Sequence, residues 1–131
     1  MIINGVEIPD IDNCDLAAME KYEAAHARVL EKANKAEEVC TKRSEAIRFL
    51  CEAVFEFFET VFGEGTAKLV FGDQVNLRVC MDAYEEVSNS VKMADEAFSA
   101  KYINKYGGAK KNGGKIYPNP NDYHKKKKKR R

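Results

Sequence analysis

The segment Ser44-Glu-Ala-Ile-Arg-Phe-Leu-Cys-Glu-Ala-Val-Phe-Glu-Phe-Phe-Glu-Thr-Val-Phe62 decides the fold class of this 131-residue chain. Stepped at about 100° per residue, Ile47, Leu50, Cys51, Val54, Phe55, Phe57, Phe58, Val61 and Phe62 share an arc about 160° wide. Glu45, Glu52, Glu56 and Glu59 share a separate narrow arc. A broad apolar face beside an acidic ridge is an amphipathic helix, expected over 44–62. Phe55, Phe57, Phe58 and Phe62 crowd its last two turns. Two readings follow. Either these rings fill the core, or a small bundle cannot cover them all and part of the patch receives a partner's apolar segment. On the second reading the partner-binding residues are Phe49, Phe55, Phe58 and Phe62, with Phe49 pointing away from the stripe.

Upstream, Asp15 is placed to cap a helix from Leu16 to Cys40. Met19, Tyr22, His26, Val29, Ala33, Ala36 and Cys40 recur along it at spacings of three and four, a heptad-like seam. Packing within its own chain is the simpler use of that seam, and self-association is left open. His26 reads as a packed or partly exposed side chain rather than a ligand. At the start, Asn4-Gly5 sits between Ile2-Ile3 and Val6-Glu7-Ile8. Both turn residues tolerate the positive φ of a type I′ turn, so a short β-hairpin is expected, with Pro9 ending its second strand. Such a hairpin is marginal alone and must lean on helices or on another chain.

Downstream, Gly63-Glu64-Gly65 breaks the Phe-rich helix. Thr66 is expected to cap a short helix from Ala67 to Phe71, stopped by Gly72. Asn76 caps a long helix running to about Tyr106, with Leu77, Cys80, Met81, Tyr84, Val87, Val91, Ala94, Phe98 and Tyr102 on its apolar face. The expected fold is therefore mainly α: a small helical bundle with an N-terminal β-hairpin over residues 1–106, then a disordered basic C-terminal tail over 107–131.

Charge divides the chain at the same place. Residues 107–131 hold ten basic side chains and one acid, leaving twelve basic against twenty acidic in residues 1–106. The densest run is Lys125, Lys126, Lys127, Lys128, Lys129, Arg130 and Arg131. A basic tail on an acidic body suggests an interaction segment. Nucleic acid is one candidate partner, not the favoured one, that could be held through its phosphates, with Tyr117 and Tyr123 available to stack on bases. The acidic body would oppose that approach.

Other functions find little support. No apolar run approaches the roughly 20 residues that a membrane span needs. The N-terminus lacks the basic and apolar regions of a signal peptide, so the cytoplasm is the expected location. Cys14, Cys40, Cys51 and Cys80 are separated by 26, 11 and 29 residues, without the close pairs of a zinc site. Cys51 and Cys80 lie on apolar stripes and read as small hydrophobes. The glycines around residue 63 lack the following Gly-Lys-Ser/Thr of a phosphate loop. The acidic ridge lacks both a neighbouring His and the Glu-x-x-His pairs of diiron bundles, so a solvated face explains it better than catalysis. No enzyme activity, cofactor or metal is expected.

Four stretches carry a family resemblance: Ile3-Asn4-Gly5-Val6-Glu7-Ile8, Cys51-Glu52-Ala53-Val54-Phe55-Glu56-Phe57-Phe58, Phe62-Gly63-Glu64-Gly65-Thr66-Ala67-Lys68, and Asn76-Leu77-Arg78-Val79-Cys80-Met81-Asp82-Ala83-Tyr84-Glu85-Glu86. Across residues 2–95 the chain resembles the small tail assembly chaperones of long-tailed phages and prophages of Gram-positive bacteria. The resemblance implies a non-enzymatic protein that keeps the tape measure protein soluble and helps recruit tail tube subunits. It implies action in the host cytoplasm and absence from the finished virion. That family often makes a longer second product by ribosomal frameshifting. Five consecutive Lys codons, each AAA or AAG, make the message A-rich at Lys125 to Lys129, so this run has a third reading as a slippery site.

Overall fold

A computed structural model describes residues 1–103. The described residues divide into two units, the first Met1–Val91 and the second from Lys92 onward, the break falling inside the last long helix. The first unit is mainly helical and opens with an antiparallel strand pair, β1 (Ile2–Ile3) and β2 (Val6–Glu7). Ile2 pairs with Glu7 and Ile3 with Val6. Asn4 at φ 51° and Gly5 at φ 78° give the two positive φ angles of the expected I′ turn. The hairpin escapes its intrinsic weakness by docking on helices. Ile3 and Ile8 are buried in the core, and the Asn4 side-chain amide donates to the Val70 carbonyl at 2.7 Å.

Helix α1 spans Leu16–Val39. The Asp15 carboxylate accepts the Ala18 N–H at 2.9 Å, satisfying one of the orphan amides of the first turn. Tyr22, Ala25, Val29 and Ala36 are buried along it, whereas Ala33 of the expected seam is exposed. The reason is geometric: at about 100° per residue the four buried positions fall within an arc of about 60°, and Ala33 lies just outside its edge.

Helix α2 spans Arg43–Phe62. Its N-terminus is closed by Glu45, which accepts the N–H groups of Thr41 at 2.9 Å and Lys42 at 3.3 Å. These backbone donors hold the Glu45 carboxyl below its ordinary range. Cys51, Ala53, Val54, Phe57 and Phe58 are buried. Gly63, at φ 113°, ends the helix in a conformation that a side chain would strain.

Helix α3 spans Thr66–Phe71. Its cap is Gly65 rather than the expected Thr66. Gly65 takes the left-handed conformation, and Thr66 is the first helical residue, its hydroxyl donating to the Gly63 carbonyl at 2.8 Å. Helix α4 spans Leu77–Phe98, and the Asn76 side chain accepts the Val79 N–H at 3.1 Å as an N-cap. Its buried side chains in the first unit are Cys80, Ala83, Tyr84, Val87 and Val91. Met81, expected on that face, is 41% exposed because the buried line runs through its neighbours at 80, 83 and 84.

The core of the first unit joins Ile3, Tyr22, Val29, Val54, Phe57, Phe58, Val70, Phe71 and Val87 with the thiols of Cys51 and Cys80. Burial first, and then the adjacent Cys51 thiol, push the Cys80 thiol up to about 12. Both cysteines are free and fully buried, acting as the small hydrophobes expected. In the second unit the chain continues as a π-helical turn, Ser99–Ile103, where the Phe98 and Tyr102 rings meet at 4.9 Å. The expected helix end near Tyr106, the domain boundary at 106 and the tail over 107–131 lie outside the described residues. Among the described residues no helix is long and apolar enough to cross a membrane.

Candidate partner-binding face

The phenylalanines of α2 split into two sets. Phe57 turns toward α1 and α4, meeting Tyr22 edge-on at 6.0 Å and Tyr84 edge-on at 5.0 Å. Phe58 turns toward α3, with Phe71 edge-on at 5.3 Å and Phe62 at 5.7 Å. Phe55 also reaches Phe71, at 5.1 Å. Edge-to-face pairs at these distances are the favoured arrangement of aromatic quadrupoles and add about 0.5–1.5 kcal/mol each beyond area burial. Helix α3 thus lies over the end of α2 and supplies the cover that the three longer helices lack.

This cover is partial. Phe58 has no accessible surface, so a partner cannot touch it in this conformation, and it belongs to the core. Phe55 and Phe62 are half-buried at the edge of the cluster and present part of their rings outward. Phe49 is half-buried and stands apart from the central cluster. Of the four expected contact residues, the structure brings Phe55, Phe58 and Phe62 into one aromatic group and leaves Phe49 out. Leu69 on α3 is 67% exposed while its neighbours Val70 and Phe71 are buried. Lys125, Lys126, Lys127, Lys128, Lys129, Arg130 and Arg131 lie outside the described residues.

The acidic ridge is used structurally. Glu56 accepts from Lys32 Nζ at 2.7 Å and Arg28 Nη1 at 2.9 Å, tying α2 to α1. The Lys32 hydrogen bond, followed by that from Arg28, holds the Glu56 carboxyl below its ordinary range. Glu59 accepts the Gly65 N–H at 2.8 Å and the Ala67 N–H at 2.7 Å, capping α3 from the helix before it. Glu52 remains exposed, with Arg48 at 4.0 Å. A solvated ridge therefore describes Glu52, while Glu45, Glu56 and Glu59 each hold an element in place.

Two recesses touch this region. One of about 10 Å³ lies beneath the Arg28, Lys32 and Glu56 side chains, room for about one water. An open depression of about 340 Å³ near the start of α2 is lined by Ser44, Glu45, Ile47, Arg48 and Val75. Among the described residues no three His, Cys, Asp or Glu side chains converge to hold a metal ion.

The sequence profile of a family of unknown function, DUF6673, matches residues 4–131. The chain belongs to the DUF6673 family. No curated protein and no solved structure matches it. The DUF6673 match runs through the basic segment, so that segment lies within the family's span rather than beside it.

Proposed function

We propose that this DUF6673 chain is a non-enzymatic chaperone of phage tail assembly that binds the tape measure protein and helps recruit tail tube subunits. One observation supports the reading above others. The four stretches that resemble tail assembly chaperones form the hairpin, the Phe-rich half of α2, the α2–α3 turn and the start of α4, and all four contribute to one core. The contact face then centres on Phe55 and Phe62. They are seven residues apart on α2, hence on one side and about 10 Å apart along its axis. An amphipathic partner helix with apolar residues two turns apart fits that spacing. Such segments are what a long helical tape measure must keep covered before the tail closes around it. The chaperone would act in the host cytoplasm and leave before the virion is complete.

The test is co-expression with fragments of the long protein encoded downstream. Wild-type chain is expected to keep a fragment soluble and co-purify with it. Phe55→Ser with Phe62→Ser should fold and lose the fragment. If the gene has no tail tube gene upstream and no very long gene downstream, and no fragment is retained, the reading is wrong. A second reading, nucleic-acid binding, is favoured only by the ten basic side chains of residues 107–131. It requires retardation of DNA or RNA that falls steeply with salt and disappears when 107–131 is deleted.

A further inference from the structure

The geometry points to Tyr22, His26 and Tyr84 as a proton-sensitive joint that holds α4 against α1 while His26 is neutral and loosens when His26 takes up a proton. The His26 ring lies beside the Tyr22 and Tyr84 rings. Its centroid is 5.7 Å from that of Tyr22 and 5.6 Å from that of Tyr84, each pair nearly parallel at 18°. The Tyr84 hydroxyl is hydrogen-bonded to His26 Nδ1. Phe57 braces the joint from α2 by meeting both tyrosines edge-on. Three helices therefore meet around one titratable ring.

With the ring hydrogen on Nε2, Nδ1 accepts the Tyr84 hydroxyl hydrogen. Protonation puts a hydrogen on both nitrogens. The Tyr84 hydroxyl must then turn and accept, giving up its role as donor. The charge also arrives in a half-buried position. Burial holds the His26 pKa below its ordinary 6.5.

The surrounding charges do not reverse this sign. On α1, Glu23 and Arg28 are the nearest charged neighbours in sequence. Glu23 is exposed, and Arg28 is paired with Glu56. On α4, Glu85 and Glu86 follow Tyr84 and are exposed, while the Cys80 thiol stays protonated. On α2, Glu56 is committed to Arg28 and Lys32. The phenols of Tyr22 and Tyr84 are both raised above their ordinary value by burial, so they stay neutral with His26. No carboxylate among the described residues hydrogen-bonds or ion-pairs with His26.

The linkage follows from the direction. A histidine depressed in the folded state binds fewer protons folded than unfolded, so stability falls as pH drops through the unfolded value of 6.5. Between about pH 7.5 and about pH 5.5 the folding equilibrium constant should fall by about two- to tenfold from this group alone. The experiment uses the full chain. Imidazole resonances are followed by NMR across that range, and urea midpoints are measured for wild type and His26→Phe, which keeps an aromatic ring at that position. His26 should titrate below 6.5, and His26→Phe should lose most of the wild-type fall in midpoint. Backbone amides of residues 77–91, corrected for intrinsic exchange, should open faster at the acid end in wild type only. Tyr84→Phe keeps the ring but removes the donor to Nδ1, so the His26 titration should move upward; this arm also decides the matter if His26→Phe fails to fold. A His26 titration at or above 6.5, an unchanged value in Tyr84→Phe, or a full pH response in His26→Phe overturns the joint.

Discussion

Glu59→Ala removes one carboxylate that joins two helices. In the wild type this side chain accepts the Gly65 N–H at 2.8 Å and the Ala67 N–H at 2.7 Å, the first amides of α3. A lost N-cap costs about 0.5–2 kcal/mol, and a hydrogen bond to a charged group is worth about 1.5–3 kcal/mol. Gly65 is exposed, so its freed amide can turn to water and recover part of the loss. Ala67 is half-buried and recovers less. The expected cost is therefore about 1–2 kcal/mol, toward the upper half of the capping range. It should be felt by the core, because α3 carries Val70 and Phe71 over Phe58. For a domain this small, that corresponds to a fall in Tm of about 5–15 °C. Glu59→Gln keeps one acceptor and should cost about half as much. Glu52→Ala is the control, since its only ion-pair partner among the described residues is Arg48 at 4.0 Å, and it should stay within about 0.5 kcal/mol of wild type. Urea titration and thermal melts by circular dichroism measure all three. Glu59→Ala matching wild type within about 0.5 kcal/mol, or Glu52→Ala costing as much, would refute the cap as the source of the effect.

Phe58→Ala empties a site with no solvent exposure and should cost about 3–5 kcal/mol, a loss large enough to unfold much of the population in denaturant titration. Phe49→Ser, outside the central cluster, should cost far less, and a melting temperature close to wild type checks it. The Glu56 carboxyl is held below its ordinary 4.5, so its contribution is present above that value and lost as pH falls through the folded one. Glu56→Gln should therefore flatten the acid limb of the stability curve below pH 4.5. The effect stays under about 1 kcal/mol because the side chain is 40% exposed. On the frameshift reading, silent recoding of Lys125 to Lys129 with alternating AAG and AAA should abolish a longer product seen by mass spectrometry and leave the charge unchanged. A charged binding tail would be indifferent to that recoding.

Local chemistry was legible in the chain because it acts over a few residues. Asp15 and Asn76 cap helices, Asn4-Gly5 makes the I′ turn, and the apolar stripe of 44–62 becomes α2. Each of these follows from a side chain bonding its own neighbouring amides or from a period that any helix must have. The margin of a stripe is less legible: Ala33 and Met81 sit at the edges of theirs, where a small rotation of the helix moves a residue between core and solvent.

Tertiary structure alone decided which phenylalanines reach the surface. Phe55, Phe58 and Phe62 look alike on a helical wheel, but Phe71 comes from a different helix to lie against Phe55 and Phe58, and only Phe58 is fully covered. The same holds for the charges. Glu52, Glu56 and Glu59 share one ridge, yet one faces solvent, one meets two cations from α1 and one caps α3. His26 and Tyr84 are 58 residues apart, and no local pattern relates them. A helical period determines which residues share a face; what that face meets depends on where chain closure brings the other helices, and burial, pairing and proton affinity are set by that meeting.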